Sequence, residues 1–234
     1  MTAPALAEAT TRASDAAPEQ WPSRPLLDGR YRRCGAVVRA LTHRLLWAPL
    51  LWLCAGRVRV AGRVPPGPVV LVANHASHAD TVVVRRAVGA RARRRLAVAA
   101  ADDYFFSTPA RARAFTAAIG AVPFPRRGGA GLRRVADLLG RGWSVLLFPQ
   151  GTRNPGAAFR PGVLRLSDAG WTVVPVGIAG TERVLPKGAR RPRRHRIAVV
   201  VGTPLHPTDV AGDLAVVRGA VEAAADQAHQ LAAR

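Results

Sequence analysis

Residues 71–80 read LVANHASHAD: an apolar run gives way to two histidines and an aspartate within six residues. His75 and Asp80 are five apart, a spacing that a tight loop entering a helix can close to hydrogen-bond distance. The carboxylate then accepts from one ring nitrogen, fixes the tautomer, and stabilises the imidazolium formed when the other nitrogen takes a proton. Two other readings stand beside this one. His75, His78 and Asp80 also fit an H-x2-H-x-D metal set, and Asn, Ser and Asp also build polar turns. A metal shell lacks further members, because His43, His195, His206 and His229 are scattered along the chain, so no metal and no cofactor are expected. Asn74 and Ser77 read as turn formers and His78 as structural.

No G-x-S-x-G elbow occurs, and the only cysteines, Cys34 and Cys54, lie well upstream. A base without a protein nucleophile activates an external hydroxyl or water. Two further loops follow apolar runs. In SVLLFPQGTRNPG (144–156), Gly151 admits close backbone approach, Thr152 offers a hydroxyl and Arg153 a phosphate-matched fork. In GAVPFPRRGG (120–129), Arg126 and Arg127 precede a Gly-rich lead into a helical pattern, an arrangement that favours phosphate.

These loops need a frame. Five continuous apolar runs, at 69–73, 96–101, 144–148, 172–177 and 197–202, indicate strands covered on both faces. Helical patterns lie between and after them: Leu132, Val135, Ala136 and Leu139 share one face, and Val217, Val221, Ala224, Ala228 and Leu231 another. The alternation predicts one α/β domain, residues 58–234, with a largely parallel or mixed central sheet flanked by helices. Such sheets gather their sites beyond the carboxyl ends of strands.

Upstream, an Ala-, Thr- and Pro-rich lead (1–30) reads as disordered and not as a secretion signal. Residues 31–57 read as an amphipathic helical segment. Its uninterrupted apolar part, Leu45 to Gly56, falls short of the ~20 residues a membrane-spanning helix needs, and Pro49 predicts a kink. Trp47 and Trp52 suit a membrane interface. The formal charge of +21, with 35 basic against 14 acidic residues, calls for an anionic partner. Lys187 is the only lysine; every other basic residue is arginine. The arginine runs at 85–95 and 190–196 carry no interleaved aromatics, so nucleic acid is not expected. Two cysteines give no disulfide framework and point to a reducing compartment.

Four blocks together resemble the glycerolipid acyltransferase superfamily, the 1-acyl-glycerol-3-phosphate (lysophosphatidate) acyltransferases. NHASHAD is similar to its N-H-x4-D signature, FPQGTR to its F-P-E-G-T-R block, GAVPFPRR to its intermediate arginine block and VVPVGIAGT to its late V-P-V block. The resemblance runs from about Pro65 to Pro204. It implies a glycerol-3-phosphate acyltransferase-like fold and transfer of a fatty acyl group from acyl-CoA or acyl-carrier protein to a lysophospholipid-type hydroxyl. It implies His75 as general base with Asp80 orienting it, and Gln150, Gly151, Thr152 and Arg153 at the acceptor, with Arg126 and Arg127 assisting. Pro175 would shape the late loop. Gln150 stands where the family usually has Glu, which removes a negative charge beside Arg153. Arg160-Pro161 stands where lysines are common. The expected setting is the cytoplasmic face of the cell membrane, peripheral or monotopic. A metal-dependent hydrolase and a non-catalytic basic membrane-binding module are the competing readings.

Overall fold

The computed structural model describes residues 29–125, 129–154, 156–184 and 191–234. The five apolar runs are strands there, with two further strands, β1 and β4, added: β1 (Arg59–Ala61), β2 (Val70–Ala73), β3 (Leu96–Ala101), β4 (Ala121–Phe124), β5 (Ser144–Leu147), β6 (Val173–Ala179) and β7 (Ala198–Val201). They form one sheet in the order β1-β7-β6-β2-β5-β3-β4. Every pair is parallel except β6–β7, so the sheet is mixed, within the expected fold class.

The central strand β2 shows why the runs lack alternation. Leu71 and Ala73 join a core with Val82, Val83 and Val84. On the other face Val70 and Val72 pack with Val135, Leu138, Leu139 and Trp143. The C-terminal helix Leu214–Ala233 buries Val217, Val221, Ala224 and Ala228 as expected, with Ala232 closing the stripe and Leu231 only partly covered. Its seat on β6 requires Gly177, since a methyl group there would lie 2.0 Å from the Ala224 carbonyl carbon. In the helix Ala130–Gly140, Val135, Leu138 and Leu139 are buried, while Leu132 and Ala136 are partly covered.

Pro175 lies inside β6, opposite Val72, and not in a loop as expected. It falls between the last β6–β7 pair, Val176–Val201, and the isolated bridge Val173–Leu205. There its carbonyl accepts from Gly202 N–H at 2.9 Å, so the ladder tolerates the missing proline donor.

The N-terminal helix runs from Gly29 to Ala55. Where Pro49 predicts a kink, the helix instead widens into a π turn at His43–Trp47, closed by Ala48 N–H on the His43 carbonyl. Much of this helix is inside out, although Leu51, Cys54 and Ala55 near its C-terminus are buried in the core. Arg39 and His43 are buried, whereas Val37, Leu41, Leu45, Leu46, Trp52 and Leu53 are exposed. Trp47 does not join that outer face; it packs against the core.

The buried polar side is held by arginines of the run that sequence reading treats as a basic stretch. Arg93 donates to His43 Nε2 at 2.7 Å and to the Arg85 carbonyl at 3.3 Å. Arg85, 3% exposed, donates to the Leu96 carbonyl at 2.9 Å. Burial first, then the charges of Arg39 and Arg93, lower its pKa to about 9. The His43 pKa is lowered from 6.5 to about 4 by burial, then by Arg93, Arg85 and Arg86. A base neutral in the fold but protonated in the open chain costs stability as pH falls. The loss starts near the unfolded value of 6.5 and is complete below about 4. His43→Gln, which keeps an acceptor for Arg93, is therefore expected to flatten the fall in stability over that window by roughly 2–3 kcal/mol. Denaturant titrations at several pH values check it; parallel curves for both proteins would refute it.

Candidate active site

Strands β2, β5 and β6 are adjacent and parallel, so their carboxyl ends share one edge of the sheet. His75 follows β2, Phe148 to Arg153 follow β5, and Thr181 follows β6. His75 Nδ1 lies 2.8 Å from Asp80 Oδ2. An ionised Asp80 makes Nδ1 the protonated nitrogen and leaves Nε2 as acceptor. The same carboxylate oxygen accepts from the backbone N–H groups of Ala76 (2.7 Å) and Ser77 (2.9 Å). Its other oxygen accepts from the Thr181 hydroxyl. Asp80 is fully buried in the first turn of the helix Ala79–Ala87, the end that favours negative charge.

The turn itself rests on Ser77, whose carbonyl accepts from Asp80 N–H and whose hydroxyl accepts from Ala79 N–H. Asn74 does more than turn the chain. Its side-chain amide donates to the Ile178 carbonyl (2.9 Å) and accepts from Ile178 N–H (2.8 Å), clipping the loop to β6. The imidazole of His75, with its side chain 17% exposed, stacks on Phe148 at 4.1 Å between centroids.

Both ring and loops border a cleft of about 690 Å³. One wall is polar: His75, His78, Gly151, Thr152, Arg153 and Arg160. Apart from Thr81, the rest is apolar, including Val98, Ala99, Phe105, Phe115, Phe124 and Val163, with Trp47 reaching in from the N-terminal helix. Gly151 has φ +62°, and a methyl group there would stand 3.0 Å from Arg160 Nε. The Arg160 guanidinium thus lies across the glycine, beside Arg153. His78 meets Phe105 edge-on at 6.2 Å. Its pKa is lowered by desolvation, then by Arg153 and His75. Among the described residues no three His, Cys, Asp or Glu side chains gather as a metal set.

Gln150 departs from expectation. It does not border the cleft; it is 7% exposed, and its Oε1 accepts from the backbone N–H of His75 at 3.1 Å. A side chain expected at the acceptor instead ties the β5 loop to the β2 loop. Arg126 and Arg127 lie outside the described residues; β4, parallel to β3, ends at Phe124 just before them.

The acyltransferase family profile matches residues 57–179, more than half of the chain. The chain belongs to the acyltransferase family. It is 35% identical over 166 residues to the lyso-ornithine lipid O-acyltransferase of Pseudomonas aeruginosa, across 64% of this chain and 59% of that protein. It is 32% identical over 80 residues to the chloroplastic 1-acyl-sn-glycerol-3-phosphate acyltransferase LPAT1 of Arabidopsis thaliana, across 32% of this chain and 22% of that one. The chain thus spans 59% or less of the length of these relatives. The crystal structure of the 1-acyl-sn-glycerophosphate acyltransferase PlsC from Thermotoga maritima superposes with a TM-score of 0.66 at 20% identity. That match covers 88% of this chain and 83% of the PlsC chain, and it concerns the fold. The family match and the two curated relatives agree with the resemblance to the glycerolipid acyltransferase superfamily.

Within this acyltransferase the matched span ends with β6 and stops short of Thr181. Thr181 closes the VVPVGIAGT block with no role implied by the resemblance, and Arg160 stands at a departure from the family pattern. Thr181 reaches the site from a distant segment, just past β6, whereas Arg160 comes from the same segment after β5 as Arg153.

Proposed function

We propose that this acyltransferase moves a fatty acyl group from a thioester of coenzyme A or an acyl-carrier protein to the hydroxyl of a lysophospholipid-type acceptor. 1-Acyl-glycerol-3-phosphate is the reference case. The carrying observation is a His75–Asp80 dyad opening on a largely apolar cleft whose polar wall bears Arg153 and Arg160 and, among the described residues, no serine or cysteine.

In this reading His75 Nε2 takes the proton of the acceptor hydroxyl as its oxygen attacks the thioester carbonyl carbon. The C–S bond then breaks, and the imidazolium returns the proton to the departing thiolate. Ester and thiol are the products, with no acyl-enzyme. Asp80 stabilises the transient imidazolium. Arg153 and Arg160 hold the acceptor's anionic group, with Arg126 and Arg127 assisting, while the apolar cleft takes the acyl chain. No metal or other cofactor is required by these steps.

The same reading puts the protein on an anionic membrane surface, on its cytoplasmic face. The exposed apolar side of the N-terminal helix supports this, with Arg44 and Arg57 exposed along it. The loop at 191–196 adds cations: His195 N–H donates to the Cys54 carbonyl at 2.8 Å, and Arg194 lies beside Gly56. No described helix is long and apolar enough to cross a membrane.

The test is thiol release from acyl-CoA and acyl-carrier protein with acceptors in anionic vesicles, including 1-acyl-glycerol-3-phosphate and a lyso-ornithine lipid. Acceptor-dependent thiol release is expected, with the protein sedimenting with the vesicles. Arg153→Ala is expected to raise the acceptor KM by roughly 10- to 100-fold, as for loss of a charge-assisted hydrogen bond. No release with any acceptor would end the enzymatic reading, and an unchanged KM would remove Arg153 from the acceptor site. Protein left in the supernatant would end the membrane reading.

A further inference from the structure

The loops after β2 and β5 are 75 residues apart in sequence and are joined by the stacking of Phe148 on the His75 ring and by one hydrogen bond, to the side chain of Gln150. Its oxygen takes the backbone N–H of His75 at 3.1 Å from a buried position behind the cleft. We propose that Gln150 is a positioning residue for His75, one that holds the imidazole in the dyad while withholding a second negative charge from it. The proposal rests on the general-base reading of His75.

A carboxylate at residue 150 would accept the same hydrogen bond, so geometry alone does not require an amide. Charge is the difference. The charged and titratable groups around the ring are Asp80 from the helix Ala79–Ala87, His78 just before it, and Arg153 and Arg160 from the segment after β5. Among the described residues, Phe148 on the ring and Thr181 on Asp80 are neutral. With glutamine the dyad has one carboxylate, and both guanidinium groups serve the cleft. With glutamate a second anion would favour the imidazolium. His75 would then be a free base only at higher pH. The neutral amide therefore extends the working range of this base toward acid.

The experiment follows the His75 ring by NMR titration in wild type and Gln150→Glu, with the signal assigned from its loss in His75→Asn. Steady-state kinetics accompany it for wild type, Gln150→Glu and Gln150→Leu. In Gln150→Glu the ring's midpoint should rise relative to wild type, and the acid limb of kcat/KM should move with it. In Gln150→Leu, which cannot accept the bond, kcat should fall roughly 10- to 100-fold with acceptor KM little changed. An unmoved midpoint in folded Gln150→Glu overturns the charge argument. A Gln150→Leu enzyme with raised KM and intact kcat overturns positioning and makes residue 150 a substrate contact. If Gln150→Glu does not fold, the Gln150→Leu split alone decides. Failure of wild type to release thiol would defeat the acyltransferase reading but not the ring titration, so the two failures are distinguishable.

Discussion

His75→Ala is expected to lower acyl transfer by roughly 10²- to 10⁴-fold, the usual worth of a positioned general base. The loss belongs in kcat, because the imidazole meets the hydroxyl proton in the transition state and contributes little to holding the acceptor's anionic group. Folding should survive. The ring makes one side-chain hydrogen bond, to Asp80, and one stacking contact, with Phe148, and Asp80 keeps three other donors. Thiol-release kinetics beside a thermal melt separate the two effects. Turnover close to wild type in the folded variant would remove the mechanism proposed above.

Asp80 should show a larger combined effect, and two substitutions divide it. Asparagine is nearly isosteric with aspartate, so Asp80→Asn can keep one oxygen toward Ala76 N–H and Ser77 N–H. It loses the charge that orients His75 and stabilises its imidazolium, and a loss of about 10⁴-fold in kcat is expected with a modest change in melting temperature. Asp80→Ala also leaves two backbone N–H groups and the Thr181 hydroxyl without their acceptor beside a fully buried position. Each such orphan costs about 1–3 kcal/mol, so Asp80→Ala should lose several kcal/mol of stability as well as activity. Equal melting of Asp80→Ala and wild type would contradict the four-donor cradle. High activity in Asp80→Asn would show that Asp80 serves the turn and not the base.

The double duty of Asp80 explains how much of the site could be read in advance. Its bond to His75 spans five residues, so spacing alone announces it, and its bonds to the Ala76 and Ser77 backbone are equally local. Its bond to Thr181 spans 101 residues and depends on β6 lying beside β2, which no local pattern states. Gln150 shows the same limit. Its place in the FPQGTR block marks it as functional, but nothing nearby in sequence says whether the amide faces the cleft or the His75 backbone. Arg160 lies across Gly151, whose φ of +62° and missing side chain leave room for the guanidinium, and it lines the same cleft as Arg153.

The N-terminal helix marks the sharpest divergence. Its apolar spacing predicts a helix correctly, yet which side faces inward follows from partners elsewhere. Arg93 supplies a hydrogen bond to His43, and the cleft wall takes Trp47, so polar residues turn in and leucines turn out.

By itself the sequence determined the elements and the dyad: apolar runs long enough for buried strands, amphipathic faces for covering helices, and a histidine and aspartate within one turn. These depend on contacts between near neighbours, whose geometry a short segment carries alone. The tertiary structure decided the strand order with its one antiparallel pair, the meeting of the β2, β5 and β6 loops, and the inside-out set of the first helix. Those outcomes depend on which distant surfaces bury each other, and that is settled only when the whole sheet closes its two cores at once.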